Sequence, residues 1–273
     1  MSNENVYLYY RTYAGISSKN LFAKTKEDLI EVCWRSLEIE KTEAKVFACI
    51  DVPTEPFKKF MLARTPHHYY TEEGADCYDS KNRLPLFGGG GSYFKLREFM
   101  SKNKHKDDDI VMVLEDDYLF VPGGFQEWID ACRSFDGFVT PSDHPDRYTR
   151  KDDKFATKTK IKIFNKRHWR NVESTTGTVG GKYKYFRRTY FLTKTPRMYI
   201  FSFWPGRIFG KELTSMDRVF YRRIYRFLGI QLFAPMPALA VHLAEGNLDS
   251  VVDWEKRYME LKNETKQGTN PGQ

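Results

Sequence analysis

The stretch Ile110-Val-Met-Val-Leu-Glu-Asp-Asp-Tyr118 decides the reading of this chain. Its five consecutive apolar residues follow the charged turn Lys102 to Asp109 and fit a strand buried on both faces, as in the middle of a parallel sheet. The run passes without a break into Glu115, Asp116 and Asp117. Three adjacent carboxylates repel one another, so at the end of a buried strand they call for a neutralising cation. Side chains alternate along an extended chain, which puts Glu115 and Asp117 on one face and Asp116 on the other. Two convergent oxygens at the carboxyl edge of a sheet suit a hard divalent ion, Mg²⁺ or Mn²⁺, with positions left open for phosphate oxygens. An acidic surface turn is the alternative, and the apolar run that precedes the triplet weighs against it.

Outward from this strand, the N-terminal side reads as α/β. Val6 to Thr12 has strand composition. A helix follows from Thr25, with acidic residues in its first turn and apolar positions Leu29, Val32, Cys33 and Leu37. Lys45 to Val52 is a buried strand ending at Asp51 and stopped by Pro53. Strand, helix, strand implies a parallel sheet flanked by helices. Residues 53–85 read as loop-rich, and Gly88 to Gly91 lead into a helix from Ser92, a weak anion cradle that matches neither the P-loop nor the dinucleotide fingerprint. On the C-terminal side the expectations are a helix from Gly123, a strand Gly137 to Thr140, and extended pieces at Ile161–Phe164 and Ser174–Val179. Next come a turn at Gly180-Gly181, a helix Thr214 to Leu228, one strand Gln231 to Val241 reaching His242, and a frayed tail from Thr265. No internal repeat is present.

The 273 residues are 41% hydrophobic and 29% charged, enough for one large domain or two small ones. No apolar run approaches the ~18 residues of a membrane span. The opening Met1-Ser-Asn-Glu-Asn5 places a carboxylate where a secretion signal has positive charge, so a cytoplasmic protein is expected. Cysteines at 33, 49, 77 and 132 form no CxxC pair, which argues for reduced thiols rather than a disulfide framework or a zinc site. The net charge of +8 is concentrated: from Arg147 to Arg197, sixteen Lys and Arg stand against three Asp and Glu, a local +13 that leaves −5 elsewhere. Such a segment is either a solvated face or a surface that meets phosphates.

Val111-Met-Val-Leu-Glu-Asp-Asp-Tyr-Leu-Phe-Val-Pro-Gly-Gly124 resembles the DXD-type strand of GT-A fold glycosyltransferases. The wider pattern resembles a group of glycosyltransferase-like proteins of bacteria and of large DNA viruses such as the chlorella viruses. The matching pieces are Asp143-His-Pro-Asp-Arg-Tyr148, His168-Trp169 with Ser174-Thr-Thr176, and His242 with Asp253-Trp254, over roughly residues 110 to 254. The resemblance implies a single GT-A catalytic domain over 1–264, with a nucleotide-binding half (1–120), an acceptor-binding half (121–264) and a flexible tail (265–273).

Residue by residue, it implies that Asp117 binds the metal directly, that Glu115 faces the ribose or a metal-bound water, and that Asp116 completes the donor-binding triplet. Arg11, Thr12, Tyr13 and Asp51 correspond to positions that hold the nucleotide base. His242 resembles a third metal ligand supplied late in the chain; a hydrogen-bonded strand-end histidine is the plain alternative. Asp217 resembles the second residue of the acidic pair of inverting enzymes, with Met216 in place of the first, and as an inverting base it would take the acceptor proton. An Asp placed only to suit the helix dipole would look the same. Asp143, His144, Asp146 and Arg147 follow a predicted strand and are candidates to read acceptor hydroxyls, though a Pro-containing surface turn has the same look. Lys182 to Arg197 has the length and charge of a flexible lid over a diphosphate, and equally of a surface that docks an anionic acceptor or a membrane.

The leading reading is a metal-dependent, inverting transferase moving a sugar from a UDP-linked donor to a hydroxyl of a glycan or glycoprotein, with UDP-xylose and a viral capsid glycan implied by the viral resemblance. No nucleic-acid partner is expected. The competing readings are a basic nucleic-acid-binding module and another metal-dependent phosphoryl-group enzyme, a nucleotidyltransferase or nuclease.

Overall fold

The strand at the centre of the fold is β4 (Ile110–Glu115), and its residues 110–114 are fully buried, as an unbroken apolar run requires. Ile110, Met112 and Leu114 join Val6, Leu8 and Tyr10 in one core, while Val111 and Val113 join Tyr9 in a second core on the opposite face. In this computed structural model the described residues are 4–13, 20–51, 55–64, 67–70, 96–149, 159–175, 177–193, 216–244, 248 and 251–268.

β1 (Val6–Tyr13) runs parallel to β4 with Arg11 opposite Glu115. β2 (Ala44–Asp51) and β3 (His67–Tyr70) extend the parallel set, with Tyr13 opposite Asp51. On the other side of β4 come β9 (Val179–Lys182), β6 (Gly137–Val139), β10 (Gln231–Met236), β8 (Arg167–Asn171) and β7 (Ile161–Phe164), which completes a nine-stranded sheet. Only β8 and β9 run against the common direction. The ends of β1, β2, β4, β6 and β10 therefore open on one edge.

Helices cover both faces. α1 (Lys26–Ser36), N-capped by Thr25 Oγ1 accepting from Asp28 N at 3.1 Å, and α4 (Gly124–Ser134) pack on the first core. The second core is covered by α3 (residues 96–102), α6 (Tyr183–Thr193) and α7 (Met216–Leu228). α8 (Trp254–Gly268) lays Trp254, Tyr258 and Leu261 on Leu29, Val32 and Cys33 of α1. A short α2 (Glu55–Leu62) and α5 (Asp146–Thr149) complete the helices that enter the argument.

Several expectations are corrected. The segment read as loop-rich holds α2, which buries Phe57 and Met61 four residues apart, and β3. Gly180-Gly181 is not a turn but the middle of β9. A Cβ on Gly180 would stand 2.6 Å from Cys132 Sγ, so the glycine is there because α4 presses on the strand. The segment expected to form a lid is, over 183–193, a docked helix with Tyr183, Tyr185, Phe186 and Thr189 buried. The strand expected over 231–241 divides: β10 stays in the main sheet, and β11 (Ala240–His242) leaves to pair antiparallel with β5 (Tyr118–Phe120). The tail is helical as far as Gly268.

Gly88 to Gly91, Ser92, Thr214, Ser215, Lys194 to Arg197, Cys77 and Thr176 lie outside the described residues. Cys33, Cys49 and Cys132 are buried free thiols, and no described helix is long and apolar enough to cross a membrane.

Candidate active site

The three carboxylates separate as alternation dictates. Glu115, the last residue of β4, meets its neighbour across the sheet: Arg11 Nη1 donates to Glu115 Oε1 at 2.8 Å. Asp116, 3% exposed, is held by Lys26 Nζ at 2.7 Å and by the Thr12 hydroxyl. Lys26 is the first residue of α1, so this buried pair ties the start of that helix to the turn after β4. Asp117 receives a hydrogen bond from His242 Nε2 at 2.8 Å, and Leu243 N donates to its backbone carbonyl at 2.9 Å. The small β5–β11 sheet makes this meeting possible, since it sets His242 beside Tyr118, whose ring stacks on the imidazole at 5.3 Å.

Glu115, Asp117 and His242 thereby offer ligand atoms all within 4.8 Å of one another. Their electrostatics are those of a cation site. Burial pushes the Glu115 carboxyl up to about 7, with Arg11 pulling down and Asp117 pushing further up. Burial would raise Asp117 as well, but the hydrogen bond and charge of His242 hold it below the usual carboxylate value. For His242, burial lowers the imidazole, and the hydrogen bond to Asp117 with the nearby charges of Glu115 and Asp116 outweighs it, for a net rise. Asp117 Oδ1 is buried with no hydrogen-bond partner among the described residues, a costly state for a carboxylate oxygen in a protein interior. Two carboxylates and an imidazole fit a divalent metal ion, which would take the place of the proton shared by His242 and Asp117.

The stretch expected to be extended over Ser174–Val179 is a strand only from Val179, and the loop before it shapes this cluster. Thr178 Oγ1 accepts from Glu115 N at 3.2 Å, and Tyr118 OH donates to Thr175 O at 3.5 Å. Gly177, at φ +91°, lies so close that a Cβ there would stand 2.7–2.8 Å from the Glu115 carboxyl atoms. A lone glycine followed by threonine gives no sequence signal for such a role; only the close approach reveals it.

Of the other expected site residues, Tyr13 and Asp51 stand opposite each other at the ends of β1 and β2, and Asp217 and Asp146 lie in the first turns of α7 and α5. The side chains of these four lie outside the described part. Asp143, His144 and Arg147 are buried just beyond β6. The Asp143 carboxylate is shared by Arg147 Nη1 at 3.2 Å and Arg170 Nη2 at 3.0 Å, and it accepts from the Tyr148 hydroxyl. Arg147 also donates to Ser142 O at 2.8 Å and Ser174 O at 2.6 Å, and Ser142 Oγ bonds His144 Nε2 at 3.1 Å. Much of the basic segment is thus matched internally: beyond Arg147 and Arg170, Arg167 pairs with Glu127, Lys184 with Asp108 and Arg187 with Asp107.

The sequence matches no protein-family model and no curated protein. Among solved structures it is similar to galactosyltransferase LgtC in complex with donor and acceptor sugar analogs, with a TM-score of 0.51, 11% identity and coverage of 95% of this chain and 96% of that one. An active-site variant of LgtC gives 0.52 at 11% identity, again over 95% of this chain and 96% of that one. CMP:2-keto-3-deoxy-manno-octonic acid synthetase complexed with CTP gives 0.49 at 11% identity, over 97% of this chain and 100% of the other. At such identities the LgtC likeness is one of fold, and it bears out the expected GT-A architecture: a mixed, mostly parallel sheet flanked by helices.

Proposed function

We propose that the chain is a metal-dependent glycosyltransferase that moves a sugar from a UDP-linked donor, UDP-xylose being the specific candidate, to a hydroxyl of a glycan or glycoprotein with inversion at the anomeric carbon. The observation that carries this reading is the buried Asp117 Oδ1, without a partner among the described residues, within the Glu115–Asp117–His242 triad, at the carboxyl edge of a sheet of this type. Asp117 and His242, with Glu115 beside them, would hold a divalent ion, which would supply Lewis-acid stabilisation to the departing nucleoside diphosphate.

The chain's own residues do the rest. Arg11 sets a fixed positive charge beside the triad. Tyr13 and Asp51, at the ends of adjacent strands, mark where the base is held. Asp116, locked by Lys26 and Thr12, fixes the turn that aims its two neighbours. Asp217, in the first turn of α7, takes the proton of the attacking hydroxyl, and the acceptor lies on the side of residues 143–147.

Thermal shift with UDP, GDP, dTDP and CMP, each with and without Mn²⁺, tests the reading. A ligand that binds only the native state stabilises it by about 2.7 kcal/mol at one hundred times its Kd. The expected result is a UDP shift that needs Mn²⁺ and disappears in Asp117→Asn, while Asp217→Asn keeps the shift and loses sugar transfer. Release of pyrophosphate from a nucleoside triphosphate without sugar transfer would instead make the protein a nucleotidyltransferase. A salt-sensitive shift with RNA or DNA and none with nucleotides would make it a binding module.

A further inference from the structure

The network around Asp143 has a product that its buried members do not explain, an aromatic ring held still on the surface. Tyr148 is 61% exposed, yet its hydroxyl is tied to Asp143 and one face of its ring is covered by the Arg170 guanidinium, 4.2 Å from the centroid. Asp143 is itself fixed by Arg147 and Arg170. Ordering an exposed side chain costs conformational entropy while burying little area, so fold stability does not account for the arrangement.

Position gives it a meaning. Tyr148 follows β6, whose end lies on the same sheet edge as Glu115. A chain of contacts joins the two places: Arg147 donates to Ser174 O, Tyr118 donates to Thr175 O, and the Tyr118 ring stacks on His242. Beyond Arg170 the surface continues as Ile161, its partner across β7 and β8, and then Ile163, respectively 57% and 72% exposed. Asp143, Arg147 and His144 are all buried, Asp143 bonded to Arg147, Arg170 and Tyr148, Arg147 to two backbone carbonyls and His144 to Ser142 Oγ, so among the described residues here the exposed apolar groups are the Tyr148 ring and the Ile161 and Ile163 side chains.

We propose that Tyr148 is the platform on which the acceptor stacks, a sugar ring laying its apolar C–H face on the phenol while Ile161 and Ile163 receive the next unit. The transfer reaction itself rests on the function proposed above, but the stacking site does not need it. A ring already fixed in place loses little freedom on binding, and tyrosine supplies contact area at low entropic cost. The buried carboxylate and its two arginines then act as positioning residues for an aromatic that touches substrate.

Saturation-transfer NMR on the full chain with methyl glycosides of glucose, galactose and xylose tests this, alongside the Mn²⁺-dependent UDP thermal shift. Tyr148→Ala is expected to weaken glycoside binding about tenfold or more and Tyr148→Phe by much less, with the UDP shift unchanged in both. Tyr148→Leu replaces the alanine variant if that one lowers the melting temperature. The proposal is overturned if Tyr148→Ala or Tyr148→Leu binds the glycosides as wild type does, or if the wild type binds UDP with metal but none of the glycosides. Glycoside binding that depends on Tyr148 in a protein that ignores every nucleoside diphosphate would leave the platform standing and defeat the transferase reading alone.

Discussion

Gly177 and Lys26 show how much of the site depends on single residues without any chemistry of their own in the reaction. Any side chain at 177 meets the Glu115 carboxyl, and a φ of +91° adds backbone strain of roughly 1–2 kcal/mol for a non-glycine residue. Gly177→Ala is therefore expected to displace Glu115 and lower Mn²⁺ affinity at least about tenfold, read by calorimetry with the melting temperature as the control. An unchanged Mn²⁺ affinity would remove Glu115 from the metal's surroundings. Lys26 neutralises a carboxylate that is 3% exposed, so Lys26→Met should cost about 3–5 kcal/mol in a urea melt, because it leaves a buried charge alone. A loss under 1 kcal/mol would mean that Asp116 takes up a proton instead. Neither role is legible in the sequence, where Lys26 is one more residue of a helix's first turn and Gly177 falls inside a stretch that reads as extended. The opposite facing of Asp116 and its two neighbours is legible, because it follows from strand alternation alone.

At the scale of elements, legibility tracks how local the determining interactions are. β4, α1 and β2 can be read from their own apolar patterns, since each is buried in the way its pattern requires. β9 cannot: its glycines look like a turn until α4 is seen pressing on them. Nor can the division of β10 from β11, which depends on pairing with β5 and brings together two residues 125 positions apart, Asp117 and His242. α8 was open to reading and missed, for Asp253 accepts from Lys256 N at 3.0 Å as a cap, and Trp254, Tyr258 and Leu261 recur at helical spacing. This helix also offers a test of packing. Tyr258 is fully buried, yet among the described residues its hydroxyl has no hydrogen-bond partner. Tyr258→Phe should then stabilise the protein by about 1 kcal/mol, whereas Tyr258→Ala should cost about 3–5 kcal/mol. A phenylalanine variant that is less stable than wild type would show that the hydroxyl is bonded after all.

For the molecule as a whole, charge sits differently from what a count of residues suggests, and its response to pH follows from where the histidines lie. Among the described residues of the basic segment, Arg147, Arg167, Arg170, Lys184 and Arg187 are engaged in ion pairs within the frame. Two histidines other than His242 bear on this, His105, which is half-buried, and His144, which is buried. His105 Nε2 and Tyr9 OH share a hydrogen bond at 2.7 Å, and the His105 ring packs against Tyr7 and Tyr183; Arg147 N donates to His144 O at 3.1 Å. Burial lowers the pKa of both; the charge of Asp109 opposes this at His105, and Arg147 and His242 reinforce it at His144. A group whose folded-state pKa lies below its unfolded value contributes stability that is complete above the unfolded pKa, about 6.5 for histidine, and lost as pH falls toward the folded one. His242, raised by Asp117, works in the opposite sense, stabilising below about 6.5 and losing that contribution as pH rises through its folded pKa. With chelator present to keep metal off His242, the melting temperature should fall between pH 7 and pH 5 if the two lowered histidines outweigh the raised one. His105→Gln and His144→Gln should each flatten that fall, and His242→Gln should steepen it. If all three variants keep the wild-type slope, these histidines are hydrated enough to titrate as they do in the unfolded chain, and the acid response belongs to the carboxylates.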